Sequence, residues 1–324
     1  MKSKTKAWLS SLATALAILN PGAGAAQDFP RDPITIIVPF GAGGGVDSVA
    51  RTVANEWSQQ FGHLVVVENQ AGAAGNIGSA SAARSKPNGY TLLLASNSNS
   101  YNDFLYSKTG YSPSDDLTSI IHIGRVPIVL VGSKTVPATN VKEVVELARS
   151  KPGTLNFVSY GVGSSGHLLL EMFRKAADID ITHVPYNNPQ VYPDLIAGRT
   201  QFIFANQLEA SQYIENDQLR AIGIVGDQRS ADFPELQSFA EQGYPQMDAE
   251  VWWGLMAPTG TPAPVVERLN EIMNKVLSSE NVKTRLNNLG AQPVGGTAED
   301  FAAFFNSERE KWRQVIADAN IKAN

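Results

Sequence analysis

The 324-residue chain contains no cysteine. That absence excludes a disulfide framework, a thiol nucleophile and a thiolate metal site. Histidine is scarce: His63, His122, His167 and His183 are scattered, without H-x-x-x-H spacing, and the carboxylates follow no EF-hand pattern. Neither a zinc nor a calcium centre is therefore expected, and no cofactor is called for. Basic residues are not in excess. Lys and Arg total 26 against 31 Asp and Glu, a formal net charge of −5, and an acidic surface argues against nucleic-acid binding. Past residue 26 no apolar run reaches membrane-spanning length, so a soluble mature protein is expected. Internal repeats, low-complexity tracts and a long Gly/Ser linker are missing as well.

What is present begins with "MKSKTKAWLSSLATALAILNPGAGAAQDFP". Lys2, Lys4 and Lys6 form a basic start, Ala7 to Leu19 a short, mostly apolar segment, and Ala23 and Ala25 an A-x-A cleavage site. The order of charge, apolar run, Pro21 and small residues marks residues 1–26 as a secretory signal peptide rather than a buried helix. No cysteine lies near the site, so no lipid anchor is available there. Removing three of the 26 basic residues and none of the acidic ones leaves a formal charge of −8 on about 298 residues, enough for two domains with separate cores.

Continuous apolar runs of strand length, such as "LVVVEN", "YTLLLAS", "VPIVLVGS", "LNFVSYG", "TQFIFAN" and "LRAIGIVG", alternate with helical periodicity. Asn140 stands three residues before Glu143, a capping-box spacing, and Thr297 opens a long helix carrying Phe301, Phe304, Phe305, Trp312 and Ile316. This alternation predicts an α/β fold with mostly parallel sheets. With no linker, the chain is expected to pass between domains along strands, once near residue 128 in "HIGRVPIVLVGS" and once near residue 252 in "EVWWGLMAPTG". The expected division is residues 27–127 plus 253–324 for one lobe and 128–252 for the other, with a ligand cleft between them.

Glycine loops between strands and helices carry the chemistry. In "ITIIVPFGAGGGVDSVARTVANEW" a β-branched run ends at Pro39, a loop holds Gly41, Gly43, Gly44 and Gly45, and Val49, Val53 and Trp57 mark one helix face. A dinucleotide fingerprint fails because Val46 and Ser48 stand where glycine is required, and no G-K-[ST] follows. The physics of anion binding survives: bare backbone N–H groups and a helix N-terminus favour a negative group. Phe40 and Gly43 to Val46 are candidate ligand contacts, with Asp47 as helix N-cap. A second loop, "SYGVGSSGHLLLEMF", has the same design, with Gly163, Ser164, Ser165 and His167 as candidates. It lacks G-x-S-x-G, but a Ser164 or Ser165 pair with His167 leaves a secreted serine hydrolase as the competing reading. Ala74 in "ENQAGAAGNIGSASAARS" and Ser96 and Asn97 in "LASNSNSYN" extend the site, because ligands of open α/β sheets sit at the carboxyl ends of strands.

Together "PITIIVPFGAGGGVDSVAR", "FGHLVVVENQAGAAGNIGSASAARSKPNGYTLLLAS", "KPGTLNFVSYGVGSSGHLLLEMF", "THVPYN" and "LNNLGAQPVGGTAEDFAAFF" resemble the tripartite tricarboxylate transporter substrate-binding proteins, also called the Bug family, along nearly the whole mature chain. The resemblance implies a periplasmic type II binding protein of the Venus flytrap kind, expected to be monomeric, that delivers a small organic acid to a permease with one large and one small subunit. It implies that Phe40 to Val46 and Gly163 to His167 hold a ligand carboxylate, partly through water. A ligand sensor for a membrane kinase would share the same pocket. Departures fall after Tyr186, at Asn187 and Asn188, and at Ala205, Asn206 and Gln207, where neutral residues stand in place of charged ones. They lead to the expectation that the cleft takes a di- or tricarboxylate or an aromatic acid and rejects amino acids, whose ammonium would lack an anionic partner.

Overall fold

The computed structural model describes residues 29–186 and 190–323. Residues 1–26, expected to be a signal segment, and Asn187 lie outside them. The β-branched run forms β1 (Ile34–Val38), and Ile34, Ile36 and Val38 on one face and Ile37 on the other are all buried. Burial on both faces explains why the sequence shows a continuous apolar run there rather than alternation. The chain continues through α1 (Gly45–Phe61), β2 (Val65–Asn69), α2 (Asn76–Ala83), β3 (Thr91–Ser96), α3 (Asn97–Leu105) and β4 (Leu117–Val126). After Pro127 come β5 (Ile128–Ser133), α4 (Val141–Ser150), β6 (Asn156–Ser159), α5 (Ser165–Ala177), β7 (Thr182–Pro185) and α6 (Val191–Ile196). Next are β8 (Phe202–Asn206), α7 (Gln207–Glu215), β9 (Leu219–Ile224) and β10 (Val251–Pro258). The chain closes with α8 (Ala263–Ser278), α9 (Glu280–Asn288), β11 (Gln292–Gly295) and α10 (Ala298–Asp318).

Two sheets result. The first has the order β11-β4-β10-β3-β1-β2, the second β7-β6-β8-β5-β9. The expected parallel pairing holds for β1 with β2 and β3, and for β6 with β7 and β8. The remaining pairings, those of β10 with β3, of β4 with β10 and β11, and of β5 with β8 and β9, are antiparallel, so both sheets are mixed. β4 leaves the first sheet at Val126 and the chain enters the second at Ile128, while β10 returns beside β4 in the opposite direction. A strand that carries the chain back from the other sheet arrives reversed.

Helices cover both sheets, and α10 reaches from one to the other. α10 begins on the first sheet, where Phe301, Phe304 and Phe305 surround the fully buried Trp252 with ring centroids 5.7–6.0 Å away. Gly254 permits this approach, since a Cβ there would lie 2.0 Å from Phe301 Cζ. The far half of the same helix buries Trp312 and Ile316 in a cluster with Leu168, Leu169, Met172 and Phe173 of α5. The C-terminal helix thus belongs to both cores. Its start is fixed as the sequence predicts: Thr297 Oγ1 accepts the Asp300 N–H, and Asp300 accepts the Thr297 N–H. Asn140 likewise caps α4 by accepting the Glu143 N–H at 2.9 Å. Among the described residues no helix is long and apolar enough to cross a membrane.

Candidate ligand-binding site

Parallel neighbours β3, β1 and β2 bring their carboxyl ends to one edge of the first sheet, and β7, β6 and β8 do the same in the second. Phe40, Gly43–Asp47, Ala74, Ser96 and Asn97 therefore gather at the first edge, and Gly163–His167, Tyr186, Asn206 and Gln207 at the second. The edges meet through specific contacts. A Cβ on Gly163 would lie 3.1 Å from Leu105 Cδ1 at the end of α3, and one on Gly290 would lie 2.8 Å from Leu208 Cβ. Asn97 Nδ2 donates to the Glu250 carbonyl (2.7 Å) ahead of β10.

The two principal loops are built on one plan. Gly43 has φ +84° and Gly163 has φ +79°, a left-handed backbone that favours glycine. Gly44 and Ser164 are the N-caps, and helices begin at Gly45 and Ser165. In each case the third helical residue turns its side chain back onto its own loop. Asp47 Oδ2 accepts the Gly43 N–H at 2.9 Å, and His167 Nδ1 accepts the Gly163 N–H at 3.0 Å. Asp47 is thus not the N-cap expected from sequence: Gly44 occupies that position, and the carboxylate secures the loop from inside the first turn. The Gly43 amide is engaged in that bond, and the N–H groups of Gly45, Val46, Ser165 and Gly166 remain as helix-terminal donors without intrahelical acceptors.

Both anchors are themselves held. Arg51 Nε donates to Asp47 Oδ2 (2.9 Å), and Asn69 Nδ2 donates to Asp47 Oδ1 (2.9 Å) and to the Phe40 carbonyl (3.1 Å). The Arg51 bond is the main reason that the buried Asp47 carboxyl is held down at about 2. His167 stacks on His183 with ring centroids 3.9 Å apart and planes within 6°. His183 Nε2 is 2.6 Å from Ser159 Oγ at the end of β6. Burial lowers the pKa of both imidazoles, His183 to about 4, where the His167 ring adds to the effect.

The neighbouring loops are fixed as firmly. Ala73 and Ala74 both have positive φ, +46° and +53°, a strained conformation for residues with a Cβ. Asn102 Nδ2 donates to the Ala74 carbonyl at 2.9 Å and stabilises it. A Cβ on Gly75 would lie 3.1 Å from Phe40 Cζ, so the Phe40 ring covers this loop. Ser96 and Asn99 cap α3 reciprocally.

Several expected ligand contacts face elsewhere. Asn97 is buried, and its amide joins β10 by donating to Glu250 and accepting the Trp252 N–H (3.0 Å). Asn206 Oδ1 caps α7 by accepting the Leu208 N–H at 3.0 Å. Gln207 is 2% exposed and donates to Asp232 Oδ2 at 2.6 Å. Tyr186 donates to Asp194. The expected neutral amide is therefore buried at position 207, while at the half-buried Asn206 the turn into α7 engages the amide oxygen. Sequence reasoning passed over the group that stands there, Glu209, whose Oε2 accepts from Tyr160 Oη (2.7 Å) and Tyr192 Oη (3.3 Å). The spacing Asn206-x-x-Glu209 reads as a capping box and hides this contact.

Among the described residues neither Ser164 nor Ser165 hydrogen-bonds the His167 ring through its hydroxyl. Ser164 Oγ donates to the Gly161 carbonyl (2.8 Å), while His167 Nδ1 takes a backbone N–H. Among the described residues no group of three or more His, Asp or Glu could hold a metal. A hollow of about 950 Å³ lies away from the loops, between α5 and α10, and the Lys175–Asp318 ion pair joins two of its lining residues. It offers none of the helix-terminal amides and is not the candidate site.

Two α/β lobes joined at two crossings, with glycine loops meeting at the strand ends, define a type II periplasmic binding protein. The family model described as "Tripartite tricarboxylate transporter family receptor" matches residues 49–321, and the chain belongs to that family. Protein BugT of Bordetella pertussis is 34% identical over 301 residues, covering 92% of each chain. A protein of Pseudomonas sp. (strain P51), UPF0065 from the tcbD-tcbE intergenic region, is 34% identical over 98% of this chain and 95% of its own. Among solved structures, R. palustris Rpa4515 with adipate superposes with TM-score 0.77 at 31% identity, covering 91% of this chain and 99% of that one. MatC from Rhodopseudomonas palustris with bound malate gives TM-score 0.74 at 27% identity, covering 89% and 100%. The family is one of receptors, and at that level this chain is one too.

Proposed function

We propose that this chain captures a small organic carboxylate, a di- or tricarboxylate or an aromatic acid, between its lobes in the periplasm. It acts as a monomer, without turnover, after loss of residues 1–26, and delivers the ligand to a permease of one large and one small subunit. The lobes follow the expected division, residues 27–127 with 253–324 and 128–252, except that Val251 and Trp252 already pair with β4 of the first sheet. The pairing of Val251 with Val126 draws the return crossing to the residues just ahead of β10. The observation that carries this reading is the shared plan of the two loops. Gly43–Asp47 and Gly163–His167 each offer helix-terminal N–H groups behind a glycine of positive φ, on opposite lobes. Each terminus favours an anion by about 0.3–1 kcal/mol at an exposed position, and more where water is displaced. The adipate and malate of the relatives support the ligand class.

A thermal-shift screen of organic acids against neutral sugars and amides tests it. At least one small carboxylate should raise the midpoint, and no neutral compound should. Gly44→Val should then lower affinity for that acid at least tenfold, about 1.4 kcal/mol. Gly44 is extended, and a Cβ there would come no closer than 3.8 Å to the Gly41 carbonyl oxygen, so the variant folds while its branched side chain screens the first turn. Unchanged affinity in the folded variant, or turnover of ester substrates by the wild type, overturns the reading.

A further inference from the structure

Three helices begin at strand ends around the cleft with the same register, and their third residues are Asp47, His167 and Glu209. The first two turn back onto a backbone N–H of their own loop. Glu209 does not. Its Oε2 takes the hydroxyls of Tyr160, in the neighbouring glycine loop, and of Tyr192 on α6. Tyr192 is itself fixed by stacking on Tyr213, ring centroids 4.4 Å apart and planes within 18°. Oε1 has no hydrogen-bond partner among the described residues, and Glu209 is exposed. Its neighbour Leu208 packs against Gly290 of the first lobe, so this turn of α7 stands at the boundary between lobes. Tyr160 is 47% exposed and directly precedes the loop that ends at the α5 N-terminus.

We propose that Glu209, oriented by Tyr160 and Tyr192, is a specificity-determining residue that selects carboxylates bearing a hydroxyl or ammonium group over those without such a donor. The inference rests on the carboxylate-binding reading above. Two tyrosine hydroxyls on one oxygen fix the carboxylate plane and leave the second oxygen as an acceptor. A ligand held by its carboxylate at the helix-terminal amides then meets a fixed negative charge with the rest of its body. A hydroxyl donates to it and an ammonium also neutralises it, whereas an unsubstituted second carboxylate meets like charge. This reverses the amino-acid exclusion expected from the amides at 206 and 207, because the acid missing from that strand end is supplied three residues later. Tyr160 and Tyr192 are positioning residues.

Succinate, malate and aspartate, with glutarate, 2-hydroxyglutarate and glutamate, form matched series for calorimetry on the wild type, Glu209→Gln and Tyr160→Phe. In the wild type the donor-bearing acid of a series should bind at least tenfold more tightly than the plain diacid. Glu209→Gln should compress that ratio at least fivefold, mainly by admitting the plain diacid and weakening the amino acid. Tyr160→Phe should move it the same way by a smaller factor, since the ring remains while the orienting bond is lost. A ratio unchanged within twofold in Glu209→Gln overturns the inference and leaves the carboxylate reading intact. Equal binding of donor-bearing and plain acids by the wild type overturns it too. If none of the six acids binds the wild type and the wider screen finds no carboxylate, both readings fall.

Discussion

At the scale of single residues, the third position of each helix decides how its loop is held. Asp47 does this with a charge that stays fixed across the accessible pH range, since Arg51 keeps its carboxyl near 2. His167 does it as a neutral acceptor, and that makes the second lobe sensitive to acid. A protonated His167 would present N–H from both nitrogens and could not accept the Gly163 N–H, and it would repel a protonated His183 stacked 3.9 Å away. Glu171, 3.8 Å from His167 Nε2, and Arg174 also face the pair, the first favouring the charged form and the second opposing it. The native pKa of His183 lies below its ordinary value of 6.5, at about 4. The unfolded chain therefore binds more protons between those values, and the stabilisation present above about pH 6.5 is lost as pH falls toward 4. Glu250 works in the opposite direction: burial raises its carboxyl to about 7, so its contribution weakens as pH rises from about 4.5. Denaturant titrations of the wild type and His183→Gln separate the two. The expected outcome is a flatter stability profile between pH 6.5 and 4 in the variant, and ligand affinity in the wild type that declines over the same interval. Identical profiles would show that the stacked pair does not set the acid response.

At the scale of elements, the strand–glycine loop–helix units were legible because their causes are local. Apolar runs, a glycine at each left-handed turn and a helix face starting a few residues later all lie within about twenty positions. The direction of Asn206 and Gln207 was not legible, because it depends on the register with which α7 leaves β8. Nor was the reversed pairing of the crossing strands, which follows from a sheet assembled from distant segments. α10 shows both sides of this. Its apolar positions were plain in the sequence, yet periodicity cannot say that Phe301 and Trp312 enter different cores. That division predicts a consequence. Trp312 is 1% exposed and donates Nε1–H to Glu308 at 3.0 Å. Trp312→Ala should cost about 3–5 kcal/mol, chiefly through the cavity, with a smaller part from the lost hydrogen bond to Glu308, whose other oxygen keeps its Lys311 ion pair. The loss should fall chiefly on residues of the second lobe, with hydrogen exchange accelerated in α5 and little changed in α1. Acceleration confined to the first lobe would contradict the placement of this helix.

At the scale of the whole molecule, two half-sites on separate lobes need a movement that brings them around one anion. The ligand can favour the closed arrangement only by the contacts that it makes there and not in the open one. The connections available for such a hinge are Pro127, the segment ahead of β10 tied to Asn97, and α10. Small-angle scattering with and without the acid identified by thermal shift should show a smaller radius of gyration in the liganded protein. Equal radii, with the loops exposed to solvent in both states, would argue for a rigid site. The central claim, that a carboxylate sits on helix-terminal amides of both lobes, is tested most directly by the amide resonances themselves. Titrating that acid into ¹⁵N-labelled protein should move the Gly44, Gly45 and Val46 signals together with those of Ser165 and Gly166, their protons shifting downfield. Shifts confined to one lobe, or centred on the groove between α5 and α10, would contradict it.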